Sequence, residues 1–423
     1  DFSSMVWGKG SGNKLKIEGR TFFPHSLGLY YSAICQYLGF NNYGDEYKVM
    51  GLAPYGKPKY MDTFRRIVSH ANELDYNLEL EYFNHHRSGP DITWRAGKPV
   101  MPKLFSNALE RDLGPARLSN EPLKPHHYDI AASMQFRLEE IIIDIANKLY
   151  ERTGSSSLCY AGGVAFNCVV NGKILSQTPF ENIYIQPAAG DAGLSIGGAA
   201  YLYHQVLGNE RNDFVMDHAY WGPEYSEDLI KDTLISSGLD YLEMDEDMLA
   251  KSVAERISDG DIVGWYQGRS EWGPRALGNR SIVADPRRAD MKNILNSRIK
   301  HREEFRPFAP SILEEFTGQW FEQDYQSPFM QMTYQVNPNK VRDIPAPTHV
   351  DGSARLQTVN ASNNRKYYKL IRRFYDLTGI PVIVNTSFND NEPIVNTPKE
   401  AIASFMRTKM DTLAIGSYFV RRK

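Results

Sequence analysis

Cysteine is scarce in this sequence, and the spacings that bind zinc are missing. Cys35, Cys159 and Cys168 are the only cysteines among 423 residues, and none of them forms a CxxC pair. A disulfide framework or a zinc knuckle is therefore not expected. Because free thiols are the rule in a reducing compartment, the composition favours a cytoplasmic protein.

Long apolar runs and a strong charge of either sign are absent too. The richest apolar patch, residues 141–143, ends at Asp144, far short of the roughly 18 residues that a membrane-spanning helix needs. The formal net charge is -3, and no basic stripe with interleaved aromatic residues occurs. We therefore expect neither a membrane nor a nucleic acid as a partner. The length predicts two or three globular domains.

Several common catalytic motifs are also missing. The sequence has no Walker P-loop, no GxSxG elbow and no HExxH or HxxxH pair. These absences argue against P-loop kinases, serine hydrolases and zinc proteases. The histidine pairs at 85–86 and 126–127 are adjacent, so neither pair can bind a metal from one helix face.

The first half of the chain predicts a hairpin and then helices. Residues 1–23 read as two strands around a glycine-rich turn. A hairpin at the first residue leads us to expect that an upstream part is missing. A helix is predicted from Pro24 to Gly39, and a long amphipathic helix from Tyr128 to Arg152. Strands at 157–160 and 182–186 each lead into a glycine turn and a helix, which is typical of an α/β fold.

The second half predicts another α/β unit after a polar connector at 208–245. The predicted strands are 261–266, 381–385 and 413–420, and the predicted helices lie near 246–258, 289–297, 365–377 and 398–408. The patterns divide the chain into predicted domains at 1–225 and 240–423.

Glycine turns follow both strands of the first half. Gly162 and Gly163 would let the backbone approach a phosphate or ribose at the start of a helix, but a tight turn kept for packing explains them as well. Asp191 lies in the second turn, between Gly190 and Gly193. Its carboxylate would hold a divalent metal or cap the helix, and the sequence leaves both readings open.

Arginine is concentrated in the second half. Arg269, Arg275 and Arg280 occupy a glycine-punctuated loop directly after a strand. Further along the chain come Lys300, Arg302, Arg306, Arg355 and the strand-end residues Asn385 and Ser387. The planar guanidinium group suits bidentate phosphate binding, so this pattern predicts an anion site. The alternative is a set of solvated surface arginines.

Eight segments together resemble one family. They include FPHSLG, YKVMGLAPYG and GPRALGNRS, and they occur in this order at residues 23–28, 47–56, 161–168, 186–193, 273–281, 305–311, 349–359 and 385–395. In order and spacing they are similar to the O-carbamoyltransferases of the NodU/CmcH type, which act in nodulation-factor and antibiotic biosynthesis. The resemblance covers nearly the whole chain.

The resemblance implies a fold and a reaction. The fold is α/β, with an incomplete actin/Hsp70-like (ribonuclease-H-like) domain followed by a YrdC-like domain. The implied enzyme uses ATP to convert carbamoyl phosphate into carbamoyl-adenylate in the second domain. It then transfers the carbamoyl group to a hydroxyl of a small sugar or antibiotic-like acceptor.

The resemblance also implies residue roles. The implied catalytic residues are Arg275, Lys300, Arg306 and Arg355. The implied substrate- and ATP-binding residues are Arg269, Arg302, Asn385, Ser387, Glu46, Lys48, Gly162, Gly163 and Asn167. Asp191 matches a metal ligand, and the complete enzyme is expected to hold a divalent metal, iron or magnesium. The family's HxxxH ligands lie upstream of anything that matches this chain.

Three other functions remain to be weighed against this one. S-carbamoylation in hydrogenase maturation would need paired CxxC motifs, which this sequence lacks. Threonylcarbamoyl-type tRNA modification shares both halves but would need a basic binding surface. A nucleotide-binding, non-catalytic paralogue or scaffold is the non-enzyme alternative. The acceptor and the oligomeric state are not encoded in any motif.

Overall fold

A computed structural model describes residues 2–71, 74–211, 214–390 and 392–422, apart from the side chain of Lys98. Contacts divide the chain into two compact units, Asp1–Phe214 and Val215–Lys423. The first unit combines helices with separate two-stranded sheets, whereas the second is built on one large sheet. None of the helices in the described part of the chain has both the length and the hydrophobicity of a membrane span.

The described residues of the first unit form eight strands in pairs and eight α-helices. The strands are β1 Ser3–Ser11, β2 Lys14–Phe22, β3 Val68–His70, β4 Tyr76–Leu78, β5 Thr93–Arg95, β6 Lys98–Val100, β7 Ser157–Tyr160 and β8 Asn182–Ile185. The helices are α1 Leu27–Tyr37, α2 Glu46–Leu52, α3 Met61–Ile67, α4 His85–Ser88, α5 Asn107–Leu113, α6 Pro125–Thr153, α7 Cys168–Gln177 and α8 Leu194–Ala200, which continues as a π-helical segment at Tyr201–Val206.

Helix α6 is the central helix of this unit, and its sequence explains its position. Its apolar stripe, including Ile130, Met134 and Leu138, is fully buried, as a 3.6-residue period requires. The helix ends at Gly154, which has a left-handed conformation with φ of 61°. It begins at Pro125, three residues before the predicted start, because proline fits the first helical turn.

The start of α6 gives the first unit a specific pH dependence. The buried Nδ1 of His127 accepts a 3.0 Å hydrogen bond from the backbone N–H of Lys124. Burial, together with the positive charges of His126 and Arg117, lowers the pKa of His127 from 6.5 to about 4. The unfolded chain takes up this proton near pH 6.5 but the folded chain only near pH 4. The histidine therefore makes folding stability fall as the pH drops through this window.

His127→Gln should flatten this dependence. Glutamine at this helix position keeps an oxygen that can accept the Lys124 N–H, but it does not titrate. We expect the thermal midpoint of the variant to match the wild type at pH 8 and to fall less steeply between pH 6.5 and 4, as measured by circular dichroism. Equal slopes for the two proteins would show that His127 is not the group responsible.

The short parallel pair β7–β8 carries the two glycine turns at the same edge. The N–H of Gly162, after β7, donates a 2.7 Å hydrogen bond to the carbonyl of Ala189, after β8. Ala165, Ile185 and Ala189 form a small apolar cluster beneath the turns. The predicted strand–turn–helix repeat is confirmed here, since α7 and α8 follow the two turns.

In the described part of the second unit there are nine strands and six α-helices. The strands are β9 Leu242–Glu243, β10 Val263–Tyr266, β11 Arg280–Ala284, β12 Ala309–Leu313, β13 Met332–Gln335, β14 Ser353–Val359, β15 Val382–Ser387, β16 Thr412–Ile415 and β17 Tyr418–Arg421. The helices are α9 Glu227–Ser236, α10 Glu246–Ser258, α11 Met291–Leu295, which continues as a π-helical segment at Asn296–Lys300, α12 Thr317–Trp320, α13 Arg365–Thr378 and α14 Pro398–Arg407.

All nine strands form one mixed sheet in the order β13-β14-β12-β15-β11-β10-β16-β17-β9. The pairs β10–β16 and β12–β14 are parallel and the others antiparallel. Alternate residues face opposite layers: Ile282 packs with α9, α11 and α14, whereas Val283 packs with α10 and α13. The unit is therefore an α/β/α sandwich, and the predicted α/β class is confirmed.

Two details differ from the sequence-based expectation. Helix α9 lies inside the segment read as a connector, where Ile230 and Leu234 contact the core. The predicted strand 413–420 is two antiparallel strands, because Gly416 turns the chain with φ of 56°. Asn212, Asp213 and Asn391, which fall in predicted segments, lie outside the described residues.

Candidate active site

A buried lysine lies at the carboxyl end of β15. The side chain of Lys300 is only 4% exposed, and its Nζ lies 2.6 Å from the carbonyl of Ser387 and 2.7 Å from that of Asn389. The side chain of Asn389 accepts a further hydrogen bond at 2.7 Å, and Ser387 Oγ lies at 3.2 Å. The amine therefore joins the end of the π-helical segment to the residues after β15. The structure brings the predicted pair Lys300 and Ser387 together.

Positive charge is concentrated around this amine. Burial, and then the charges of Arg302 and Arg306, lower the pKa of Lys300 well below its usual range, whereas Asp390 and Glu392 act in the opposite direction. The Arg302 guanidinium lies 4.3 Å from the centre of the Phe308 ring and donates to Asn296 Oδ1 at 3.1 Å. Arg306 is half-buried, with an ion pair to Glu303 at 3.4 Å. Lys300, Arg302 and Arg306 thus form one basic cluster within residues 300–306, in which Glu303 is paired with Arg306.

The backbone within the basic cluster has an unusual conformation at one residue. His301, between Lys300 and Arg302, has a left-handed conformation with φ of 44°. A residue other than glycine in this region is uncommon and is often found where a site requires it. The turn at His301 ends the π-helical segment immediately after Lys300 and redirects the chain.

The loop between β10 and β11, residues 267–279, carries Arg269 and Arg275 and is followed directly by Arg280. Arg280, the first residue of β11, is fully buried over the Tyr266 ring at 3.7 Å. Its guanidinium donates to the carbonyls of Gln267, Gly268 and Asn279 at 2.7–3.0 Å. Arg280 therefore stabilises the loop, and the protein itself uses these donors.

Arg269 and Arg275 differ in their surroundings. Arg269 is exposed and lies 3.8 Å from Glu224, and its Nη1 lies 3.3 Å from the carbonyl of Gly222. Arg275 is half-buried. The carbonyl of the next residue, Ala276, accepts a hydrogen bond from Asn385 at 3.2 Å. The structure therefore connects the Arg275 segment, but not the side chain of Arg269, to the carboxyl half of β15.

Asn385 belongs to a buried polar network. Its Nδ2 lies within 3.2 Å of Ala276 O, Ser311 Oγ and Gln357 Oε1. Ser311 also accepts a 3.0 Å hydrogen bond from the Tyr367 hydroxyl. Among the described residues, Asn385 Oδ1 has no hydrogen-bond partner. Arg355 is half-buried on β14, two residues before Gln357, opposite Thr333 of β13.

In the first unit, the predicted nucleotide-binding residues divide into exposed glycines and paired side chains. Gly162 and Gly163 are exposed, and a Cβ added to either would meet no atom within 4 Å. Asn167 instead caps α7, accepting from the N–H of Val170 at 3.1 Å, and its amide pairs with that of Gln135. The two glycines leave open backbone for a ligand, while Asn167 positions the helix behind them.

Glu46 and Lys48 both have protein partners on α1 and α2. Glu46 accepts a 2.5 Å hydrogen bond from Ser32. Lys48 forms a buried ion pair with Asp45 at 3.0 Å, and its Nζ lies 5.7 Å from the centre of the Phe40 ring. These contacts hold α2 in place, and they do not by themselves assign either residue to a ligand.

Asp191 is the one residue that was predicted to bind a metal. Asp191 is exposed at the start of a single helical turn. In the described part of the chain, no three histidine, cysteine, aspartate or glutamate side chains are grouped so that they could hold a metal ion. A lone carboxylate does not supply the ligand set that iron or magnesium requires. The residues present therefore do not fit the predicted metal on their own.

Comparison with known proteins identifies the family. Residues 3–200 match the family described as Carbamoyltransferase N-terminus, and residues 254–422 match Carbamoyltransferase C-terminus. The chain is 39% identical over 431 residues to nodulation protein NolO of Bradyrhizobium diazoefficiens, which covers all of this chain and 74% of NolO. The chain belongs to the carbamoyltransferase family. The resemblance to the NodU/CmcH type is thereby confirmed.

Two further relatives match most of this chain. Nodulation protein NolNO of Sinorhizobium fredii is 40% identical over 430 residues, covering 100% of this chain and 59% of NolNO. The 3'-hydroxymethylcephem-O-carbamoyltransferase of Amycolatopsis lactamdurans is 32% identical over 293 residues, covering 69% of this chain and 54% of that enzyme. The chain thus spans between about half and three quarters of the length of these relatives.

Sequence reasoning missed two residues of this carbamoyltransferase that the geometry places at the site. Asn389 supplies two oxygen atoms to Lys300. Glu271 accepts three backbone hydrogen bonds within the β10–β11 loop. For Glu271, the sequence shows only a carboxylate among arginines in a glycine-rich loop. That pattern predicts an ion pair with an arginine, whereas the structure shows hydrogen bonds from backbone N–H groups.

Proposed function

We propose that the second unit forms carbamoyl-adenylate from carbamoyl phosphate and ATP, and that the whole enzyme transfers the carbamoyl group to a hydroxyl. The observation that carries this proposal is the basic cluster at 300–306 around the buried Lys300. Burial of a cation is unfavourable unless charge of the opposite sign compensates it. A bound phosphate would supply that charge.

The contacts of the Lys300 amine favour a phosphate, because none of its four hydrogen bonds is to a carboxylate, whereas Arg306 is paired with Glu303. The amine of Lys300 contacts four neutral oxygen atoms, and two guanidinium groups add further positive charge. Arg302 and Arg306 lie on the same short segment, where planar groups can bind several oxygens of one phosphate. Arg275 and Arg355 are the other arginines that we place in this site.

The proposed reaction has two steps in the second unit. First, water cleaves carbamoyl phosphate into carbamate and inorganic phosphate. A carbamate oxygen then attacks the α-phosphorus of ATP, the bond to the β-phosphate breaks, and pyrophosphate leaves. The cluster would hold phosphate oxygens while their charge shifts in the transition state. Arg269 and Ser387, with Arg302 and Asn385, would orient the two substrates.

The final transfer is proposed for the complete enzyme. The acceptor oxygen attacks the carbonyl carbon of carbamoyl-adenylate, AMP leaves, and the hydroxyl proton passes to a base. We propose an actin/Hsp70-like fold for the first unit and a YrdC-like fold for the second. In the first unit, the residues that would contact the nucleotide are Gly162, Gly163, Asn167, Glu46 and Lys48. Asp191 would supply one ligand to a metal.

The acceptor is proposed to be a small hydroxylated molecule. One relative is named as acting on a 3'-hydroxymethylcephem, and others are named as nodulation proteins. A primary or sugar hydroxyl is a weak nucleophile, which explains why an activated adenylate would be needed.

Mass spectrometry tests the intermediate directly. The protein is incubated with 13C-carbamoyl phosphate and ATP but no acceptor, quenched in cold solvent, and analysed for 13C-carbamoyl-adenylate. We expect the labelled intermediate to accumulate with the protein and to be absent when AMP replaces ATP. ATP that binds without any labelled adenylate would contradict the proposal and favour a nucleotide-binding scaffold.

A further inference from the structure

The β10–β11 loop has a concave row of backbone N–H groups, and a carboxylate of the same loop fills it. Glu271 Oε1 accepts from the N–H groups of Leu277, Asn279 and Arg280 at 2.7, 2.9 and 3.2 Å. Such rows of N–H groups commonly bind anions. Here the protein supplies the anion, so these N–H groups are already used.

The carbonyl groups of the same turn also accept hydrogen bonds from the protein. The carbonyl of Leu277 accepts from Gln357 Nε2 and from the Tyr220 hydroxyl, both at 2.8 Å. The carbonyl of Gly278 accepts from Trp265 Nε1 at 2.9 Å, and its N–H donates to Ser281 Oγ at 2.9 Å. Together with the bond from Asn385 to Ala276, every backbone polar group between Ala276 O and Arg280 N has a partner.

Packing fixes the turn as well. Gly278 has φ of 104°, and a Cβ at this position would lie 2.2 Å from the Tyr367 ring. The backbone therefore lies directly against α13. Glu271 is the only carboxylate in this set, and it bonds three of the N–H groups. Its removal would leave these N–H groups without their acceptor and loosen the segment that follows Arg275, while the carbonyl contacts stay in place.

We infer that Glu271 is a positioning residue: its carboxylate fixes the turn at 277–280 and thereby directs the Arg275 side chain toward the phosphate that reacts. This inference rests on the proposed function. In this arrangement the loop contributes to anion binding through the Arg275 side chain, while Glu271 touches no substrate. An error of about 1 Å in the placement of such a group can cost roughly 100-fold in rate.

A double-mutant cycle tests the inference, with carbamoyl phosphate-dependent pyrophosphate release as the readout. We expect Glu271→Ala to lower kcat/KM about 100-fold. Glu271→Gln should stay within about tenfold of wild type, because its amide oxygen still accepts the three N–H groups. If Glu271 acts through Arg275, the double variant Glu271→Ala/Arg275→Ala should be within about threefold of Arg275→Ala alone.

The outcomes separate this inference from the proposed function. A wild-type protein that releases no pyrophosphate would overturn the proposed function. If the wild-type protein is active but the losses of the two single variants multiply in the double variant, only the role of Glu271 is overturned. The same holds if Glu271→Ala keeps wild-type activity. If Glu271→Ala does not fold, Glu271→Asp replaces it, since the shorter carboxylate cannot reach all three N–H groups. Glu243→Gln, a surface carboxylate paired with Lys231, is the matched control and should behave as wild type.

Discussion

Arg275→Ala should reduce pyrophosphate release by about 100- to 1000-fold, the usual loss when one donor to developing phosphate charge is removed. Arg275 is half-buried at the start of a turn in which every following backbone group is held by the protein. In the proposed reaction, its side chain binds the phosphate of the substrate. The measurement is steady-state kcat/KM for carbamoyl phosphate at saturating ATP.

Arg288→Ala is the matched control for this loss. Arg288 belongs to the same unit but is 41% exposed and forms an ion pair with Asp290 at 2.8 Å. Because exposed ion pairs contribute little, this variant should keep wild-type activity and stability. Equal losses in the two variants would show that general disturbance of the unit, and not the position of Arg275, causes the effect.

Lys300→Met should both destabilise the second unit and abolish its activity. Removal of the amine takes the donor from the carbonyl of Asn389. It also takes one of two donors from the Ser387 carbonyl and from Asn389 Oδ1, which keep the Asn389 N–H and the Ser387 hydroxyl. Loss of such a buried hydrogen-bonded cation costs about 3 kcal/mol. For a unit of this size, the cost corresponds to a fall of about 6–12 °C in the thermal midpoint, measured by calorimetry.

Lys399→Met provides the comparison. Lys399 is exposed on α14, so the same change of side chain should alter stability by no more than about 0.5 kcal/mol. An unchanged or raised midpoint in Lys300→Met would mean that repulsion from Arg302 and Arg306 outweighs the hydrogen bonds of the amine. The basic cluster would then lack the structural role assigned to Lys300.

The sequence predicts the helices of the second unit better than its strands. Helix α10 is predicted and found at Glu246–Ser258, because its apolar period and the cap at Asp245 are both visible in the sequence. Strands β11 to β14 were missed. β12 contains Pro310, which argues against a strand, and β11 begins with Arg280 inside a loop-like motif. Their pairing depends on strands distant in the chain, which local patterns do not encode.

The residue types of the candidate site could be predicted, but their partners could not. The resemblance identified Lys300, Ser387 and Asn385 as site residues, and the structure joins the first two directly. Glu271 and Arg280 bind backbone groups of their own loop, and such contacts leave no mark on the sequence. Asn167 and Lys48 also proved to have protein partners that no spacing rule reveals.

Pyrophosphate release from ATP, with and without carbamoyl phosphate, tests the central claim most directly. The account predicts that the wild-type protein releases pyrophosphate only when carbamoyl phosphate is present, one molecule for each phosphate released, and that Arg275→Ala loses this release. Release that is independent of carbamoyl phosphate, or none at all from protein that binds ATP, would contradict the assignment of a carbamoyl-adenylate-forming site to the second unit.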